Sequence, residues 1–397
     1  MLNTPFSPWP SFSEEEIEAV ARVMRSNRVN YWTGDECRKF ENEFAQWTGS
    51  NHAIALANGT LALELALHGL GIGPGDEVVV TPRTFLASVS CVISAGATPI
   101  FADIDRDSGN ITAASIAAVL TPRTRAVIPV HLAGWPCDMD PIMELAARHG
   151  LKVIEDCAQA HGARYKGRSV GAIGHVGAWS FCQDKIITTG GEGGMVATSD
   201  SEAWSRMWSF KDHGKSWKAV YERKHPPGFR WVHESFGSNW RMLEMQAAIG
   251  RIQLTRMANW NAARAANAAK ILNALVPFTG DTGPLRTPTP PDDEGSSHAW
   301  YRLYAYVQPE NLAEGWNRDR IVNEIVERGV PSFQGSCSEV YLEKAFDGTG
   351  WRPRERLPVA RELGETSLAF LVHPTLTEQE INRTSSVVGE VLHAASY

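Results

Sequence analysis

The chain has 397 residues, 43% hydrophobic and 21% charged, enough to build two or three cores of ordinary domain size and too apolar for wholesale disorder. Thirty-eight basic against 45 acidic side chains give a formal charge of −7 with no basic stripe, which argues against nucleic acid as a partner. The six cysteines (Cys37, Cys91, Cys137, Cys157, Cys182 and Cys337) are too scattered for a disulfide framework or a zinc site, and with no apolar export or membrane segment they predict a cytoplasmic protein.

In chain order, Ser13 with Glu16 makes a capping-box pattern, and Ile17, Val20, Ala21 and Met24 form the apolar stripe of a first helix. Short apolar runs at 52–56, 77–81, 98–102, 126–130 and 152–155 then alternate with helical stretches, among them 60–70 and 139–148. That alternation predicts an α/β fold with a mainly parallel sheet and ligand chemistry at the strands' carboxyl ends. Further strands are expected at 178–182 and 195–199, a helix at 202–211, and a long helix over about 242–272. A turn-rich stretch at 279–297 precedes a strand at 300–307, a helix at 318–328, a strand near 368–372 and a last helix after Thr377. We divide the chain into a large domain, 1–265, and a smaller C-terminal α+β domain, 266–397.

Three segments carry chemistry. Lys185 follows a strand and precedes the glycine-dense Thr188–Gly194 turn, where an amine could be held beside a ligand. Asp156 ends an apolar strand, where a carboxylate needs a partner to offset its burial; a protonated ring nitrogen would serve. Ala57-Asn58-Gly59-Thr60 joins a strand to a helix N-terminus, whose free N–H groups favour a phosphate. Cys157 and His161 share an i, i+4 spacing, but two ligands without a third make no metal site, and none is expected.

Phosphate cradle, buried carboxylate and activatable lysine are what pyridoxal phosphate asks of a protein. Several motifs together resemble the DegT/DnrJ/EryC1/StrS family of sugar aminotransferases: Asn58-Gly-Thr-Leu-Ala-Leu, Thr84-Phe85, Val130-His-Leu-Ala-Gly134, Glu155-Asp-Cys-Ala-Gln-Ala160, Ser180-Phe to Lys185, and Gly237-Ser-Asn-Trp-Arg-Met242. The resemblance implies the aspartate-aminotransferase-like fold type I. It also implies that Lys185 bonds covalently to pyridoxal 5'-phosphate, Asp156 pairs with the pyridine nitrogen and Phe85 stacks on the ring. Gly59, Thr60 and Ser180 should bind the phosphate, with Gln159 near the ring hydroxyl. Asn239 should reach the phosphate in the neighbouring subunit, which makes a homodimer with shared sites. One departure is an added glycine: the family usually writes Thr-Thr-Gly-Glu-Gly-Gly where this chain has Thr188-Thr-Gly-Gly-Glu-Gly-Gly194. Lys185 keeps its spacing from Ser180, which disfavours the dehydratase variant with histidine in its place.

The implied reaction is amino transfer from L-glutamate to a nucleotide-linked keto sugar. Phe181–Lys185, Gly335–Glu343 and His373–Thr377 resemble the branch that aminates C4 of UDP-4-keto-6-deoxy-N-acetylhexosamine for surface glycans. Amination at C3, or of a GDP- or dTDP-linked sugar, is the alternative, and a non-catalytic regulator that binds the cofactor is disfavoured by the retained lysine and the missing DNA-binding segment.

Overall fold

The computed structural model describes residues 5–290 and 293–396; parts of the N-terminal, turn-rich and C-terminal readings fall on the remaining positions, outside the described residues. Its central feature is a seven-stranded sheet in the order His52–Leu56, Gly194–Thr198, Val176–Ser180, Lys152–Asp156, Thr124–Ile128, Glu77–Val80, Thr98–Phe101. Gly194–Thr198 runs antiparallel to both neighbours, while the five strands from Val176–Ser180 to Thr98–Phe101 pair in parallel. These strands read as near-continuous apolar runs because helices cover both faces of the sheet and leave almost none of their side chains in water. Two strands begin earlier than the sequence implied, at Thr124 and Val176, so that Phe181 lies past its strand's end and Val130 keeps only a single parallel bridge, to Asp156.

The carboxyl ends of the parallel strands and of His52–Leu56 lie along one edge. There Asn58 caps the helix Gly59–Leu70, its side chain accepting from the Leu61 amide at 3.0 Å, and Gly71 ends it in the left-handed conformation (φ 72°). Glycine is required at two close approaches. A Cβ on Gly59 would lie 2.5 Å from the Ser180 Cβ, and one on Gly194 would lie 2.2 Å from the Asn58 carbonyl oxygen. The absence of both side chains lets the helix N-terminus sit directly on Ser180.

The first helix, Glu14–Ser26, has the expected capping box, but its orientation differs from the one inferred. Glu16, Ala19 and Val23 are its buried residues, whereas Ile17 and Met24 of the apolar stripe are more than half exposed in the single chain. Glu16 faces inward because it closes the capping box and accepts from Gln253 and Arg256 of the long helix. A helix at Glu36–Thr48, not anticipated from the sequence, packs against the same long helix.

The long helix Glu244–Leu275 spans 32 residues, about 48 Å at 1.5 Å per residue. Ala247, Leu254 and Met257 pack into the core beside the large sheet, while Ala268, Ile271 and Leu275 pack into the C-terminal core. The 265/266 division thus falls inside one continuous helix. Past it, an antiparallel sheet in the order Leu285–Arg286, Leu303–Val307, Ser367–Phe370, Ser332–Phe333 is covered by the helices Arg318–Glu327 and Glu378–Ala395.

Candidate active site

Lys185 lies in the turn after Val176–Ser180, in the wall of a cavity of about 570 Å³ that is also lined by Phe85, Gln159, Tyr301, Arg302 and the Gln334–Cys337 segment. Its amine is 3.3 Å from Asp184 and 5.4 Å from the centre of the Tyr301 ring. Burial presses this amine toward neutrality, but Tyr301 and Asp184 outweigh burial and hold its pKa above the ordinary lysine value. Asp184 accepts a hydrogen bond from the Tyr301 hydroxyl and stays below the usual carboxylate range despite burial, because Lys185 and Tyr301 stabilise its charge.

Asp156 ends its strand almost fully buried. One oxygen accepts from the Ser88 hydroxyl at 2.7 Å, the other from the Ala158 amide at 3.0 Å, and Ser88 is itself 2.7 Å from the Thr84 hydroxyl. Burial pushes the Asp156 carboxyl up, and these two neutral donors do not reverse it. Gln159 accepts from the Ala133 amide at 2.8 Å. Phe85 is 72% exposed, an unusual position for a large aromatic at the mouth of a cavity. Gly59, Thr60 and Ser180 lie together at the helix N-terminus described above, where first-turn amides precede the helical hydrogen-bond ladder.

The glycine-dense turn absorbs its added residue through two successive left-handed positions, Gly190 (φ 83°) and Gly191 (φ 114°), the second in open space. Thr188 and Thr189 close the turn, Thr188 accepting from the Gly191 amide and Thr189 donating to the Glu192 carbonyl. Asn239 stands apart from this group. It is exposed, on an extended segment whose backbone pairs with Asp212 and, through Trp240 and Arg241, with Leu56–Ala57.

Cys157 lies in a buried cluster with His131 and Glu155, their ligand atoms within 4.8 Å of one another. The His131 Nδ1 accepts from the Cys137 amide, which places its proton on Nε2 to donate to Glu155 at 2.9 Å. Glu155 also accepts from the amides of Gly171, Ile173 and Gly174. This cluster is closed by its own hydrogen bonds. His161 packs against Trp179 and Phe181, and burial lowers its pKa to about 3.

The model of the DegT/DnrJ/EryC1/StrS aminotransferase family matches residues 10–389. The chain belongs to this family. A solved aminotransferase from Psychrobacter cryohalolentis, a family-like structure at TM-score 0.97, is 63% identical and covers 98% of this chain and 100% of its own. The dTDP-3-amino-3,4,6-trideoxy-alpha-D-glucose transaminase of Streptomyces venezuelae is 38% identical over 376 residues, 95% of this chain and 92% of the relative. The UDP-N-acetyl-3-dehydro-alpha-D-glucosamine 3-aminotransferase of Acidithiobacillus ferrooxidans is 34% identical over 392 residues, 99% and 97% of the two chains.

A member of the DegT/DnrJ/EryC1/StrS family is a pyridoxal-phosphate-dependent aminotransferase of fold type I, and the residues present fit the cofactor. The bare Gly59 lets the helix N-terminus press against Ser180, so that first-turn amides and a hydroxyl stand together as donors for a phosphate, and Asp156 is a buried carboxylate with no cationic partner bonded to it among the described residues. Reading the sequence missed Ser88, Asp184 and Tyr301. Ser88 carried a weak signal, a hydroxyl four residues after Thr84 in the first turn of the helix Ala87–Ser94, where the chain turns back far enough for the two hydroxyls to meet. Tyr301 carried none, because only the fold brings it to Lys185.

Proposed function

We propose that this aminotransferase moves the amino group of L-glutamate to a keto sugar carried by a nucleoside diphosphate. The observation that carries the reading is Asp156, a carboxylate kept buried with only neutral donors, at the end of the strand adjoining the one that delivers Lys185. The names of the relatives supply the substrate class.

When bound, pyridoxal phosphate supplies the electron sink for breaking a bond at the substrate's reacting carbon. Lys185 is the residue that joins the cofactor, and its Nζ takes a proton from the donor's α-carbon in one half-reaction and gives one to the sugar carbon in the other. Asp156 keeps a proton on the ring nitrogen, and Ser88 holds that carboxylate in place. Phe85 offers its exposed ring for stacking, Gln159 reaches the ring hydroxyl, and Gly59, Thr60 and Ser180 bind the phosphate. Asn239 completes a phosphate site in a second subunit of a homodimer. Support for this dimer comes from its exposed position in the chain segment that follows the uncovered aromatics Phe229, Trp231 and Phe236, and from the exposed Ile17 and Met24 on the first helix. A cytoplasmic setting, supported by cysteines that are all free, completes the reading. No described helix is long and apolar enough to cross a membrane.

Within the substrate class we favour C4 of UDP-4-keto-6-deoxy-N-acetylhexosamine. In its support, part of the Gly335–Glu343 segment that carries this branch's resemblance lines the Lys185 cavity. A second reading, amination at C3, is favoured by the names of both relatives. The enzyme in its amino form, offered UDP-, dTDP- and GDP-linked 3-keto and 4-keto sugars, distinguishes the two. The first reading expects one UDP-linked product with nitrogen at C4 by NMR, and nitrogen at C3, or turnover confined to dTDP or GDP sugars, overturns it.

A further inference from the structure

Lys185 is held from behind by the N-terminal end of the chain. The Trp9 indole N–H donates to the Lys185 backbone carbonyl at 2.8 Å. The Trp9 ring meets Trp260 edge-on at 5.1 Å and His373 in a stacked arrangement at 5.9 Å, with the Arg264 guanidinium 5.0 Å from its centre. Farther out, the Pro8 carbonyl accepts from Thr375 at 2.7 Å, and the Ser7 amide and hydroxyl both donate to Glu380. That carboxylate also accepts from the Thr377 amide at the start of the last helix. The strand of chain from Ser7 to Trp9 therefore ties the last helix and the long helix to the one peptide that carries the lysine.

A second tether reaches the same loop. The Thr188 amide, three residues after Lys185, donates to Gln253 at 2.9 Å, and Gln253 donates onward to Glu16 of the first helix at 2.7 Å. Lys185 and Thr188 are thus both pinned by backbone hydrogen bonds that trace to the first sixteen residues or to the long helix. The lysine side chain itself has little to fix it apart from Asp184 and Tyr301. Proton transfer depends on its Nζ being placed to within a fraction of an ångström, so the backbone from which it projects decides that placement.

We propose that the N-terminal strap is a positioning element of the reaction centre, with Trp9 as the positioning residue that fixes the Lys185 peptide. The proposal rests on Lys185 being the cofactor-bonded lysine. Its own content is that Trp9, which meets the Lys185 carbonyl, Trp260, His373 and Arg264, acts through the lysine's backbone and sets how well that lysine works. The strap also gives the last helix a route to the site, since loosening Ser7 and Pro8 from Glu380 and Thr375 frees the same indole.

Trp9→Phe keeps a flat aromatic among Trp260, His373 and Arg264 and removes only the N–H donor. Thr375→Val removes the Pro8 contact, together with the hydroxyl's contact to His373, and leaves the Trp9 N–H donor in place. Without cofactor, amide hydrogen exchange over residues 185–189 should quicken about fivefold in Trp9→Phe, the factor expected for losing one neutral hydrogen bond, and by less in Thr375→Val. With cofactor, the pH midpoint of the lysine-bound absorption band should shift in the same order. The glutamate half-reaction should slow several-fold in kcat with KM little changed. Folded variants with wild-type exchange, wild-type midpoint and wild-type kcat overturn the proposal. Lys185→Ala serves as the separate control: if it keeps the lysine-bound band, the assignment of Lys185 fails whatever Trp9 does, whereas loss of the band with no Trp9 effect refutes the strap alone.

Discussion

Glu155 and Asp156 are adjacent in the chain, both buried, and face two different regions at the end of one strand. Behind the sheet, Glu155 meets three backbone amides and the His131 ring, and these overcome burial to hold its carboxyl below the ordinary range. In front, Asp156 meets one hydroxyl and one amide, and burial wins. The same residue class at the same depth is therefore finished in one region and left incomplete in the other. An incomplete buried carboxylate persists only where a partner arrives from outside the chain, and the lysine stands on that side.

The largest separation of the two regions should come from neutralising each carboxylate. Asp156→Asn preserves shape and removes the charge that, in the proposed role, would keep the ring nitrogen protonated, so stopped-flow rates of both half-reactions should fall about 10²- to 10³-fold, with cofactor occupancy much less affected. Wild-type rates would reduce Asp156 to a turn-capping residue. Glu155→Gln should do the reverse, lowering unfolding free energy by about 3 kcal/mol in urea titrations while the folded enzyme keeps most of its kcat. Because the folded Glu155 pKa is depressed, its stabilisation is full above the unfolded carboxylate pKa and is lost as pH falls through the folded value. The variant should accordingly show a shallower acid limb than the wild type. A variant that stays stable but loses catalysis would abolish the distinction between front and back.

Asn239 tests whether the front region is completed by a second chain. Its removal as Asn239→Ala should weaken cofactor retention by the 1.5 to 3 kcal/mol of a charge-assisted hydrogen bond, roughly 10- to 150-fold in Kd by equilibrium dialysis. Mixing Asn239→Ala with inactive Lys185→Ala chains should restore part of the activity, since one hybrid pocket then holds both native residues. Demonstrated subunit exchange without any rescue would confine Asn239 to its own chain.

Much of this comparison was legible before any fold was known. Alternating apolar runs gave the parallel sheet, and the motif residues Lys185, Asp156, Gln159, Phe85, Gly59, Thr60 and Ser180 stand at strand ends or helix starts along one edge. What was not legible depends on contacts distant in sequence. Trp9 and Lys185 are 176 positions apart and Tyr301 and Asp184 are 117 apart, and nothing local marks either pairing. The first helix misled for a different reason. Its apolar stripe predicts the face toward the core, yet Glu16 turns inward to bind Gln253 and Arg256 and leaves Ile17 and Met24 outside. Periodicity reports that a face is apolar, not whether the chain's own core or another subunit covers it.

The central claim is that the front region's chemistry runs through one lysine. Borohydride reduction of the cofactor-loaded enzyme followed by peptide mass spectrometry tests it directly, because reduction makes the lysine–cofactor bond permanent. The account expects a single modified peptide with the added mass on Lys185. Mass on another lysine, such as the fully buried Lys211 beside Glu41, or no modified peptide from a preparation that turns over, would contradict it.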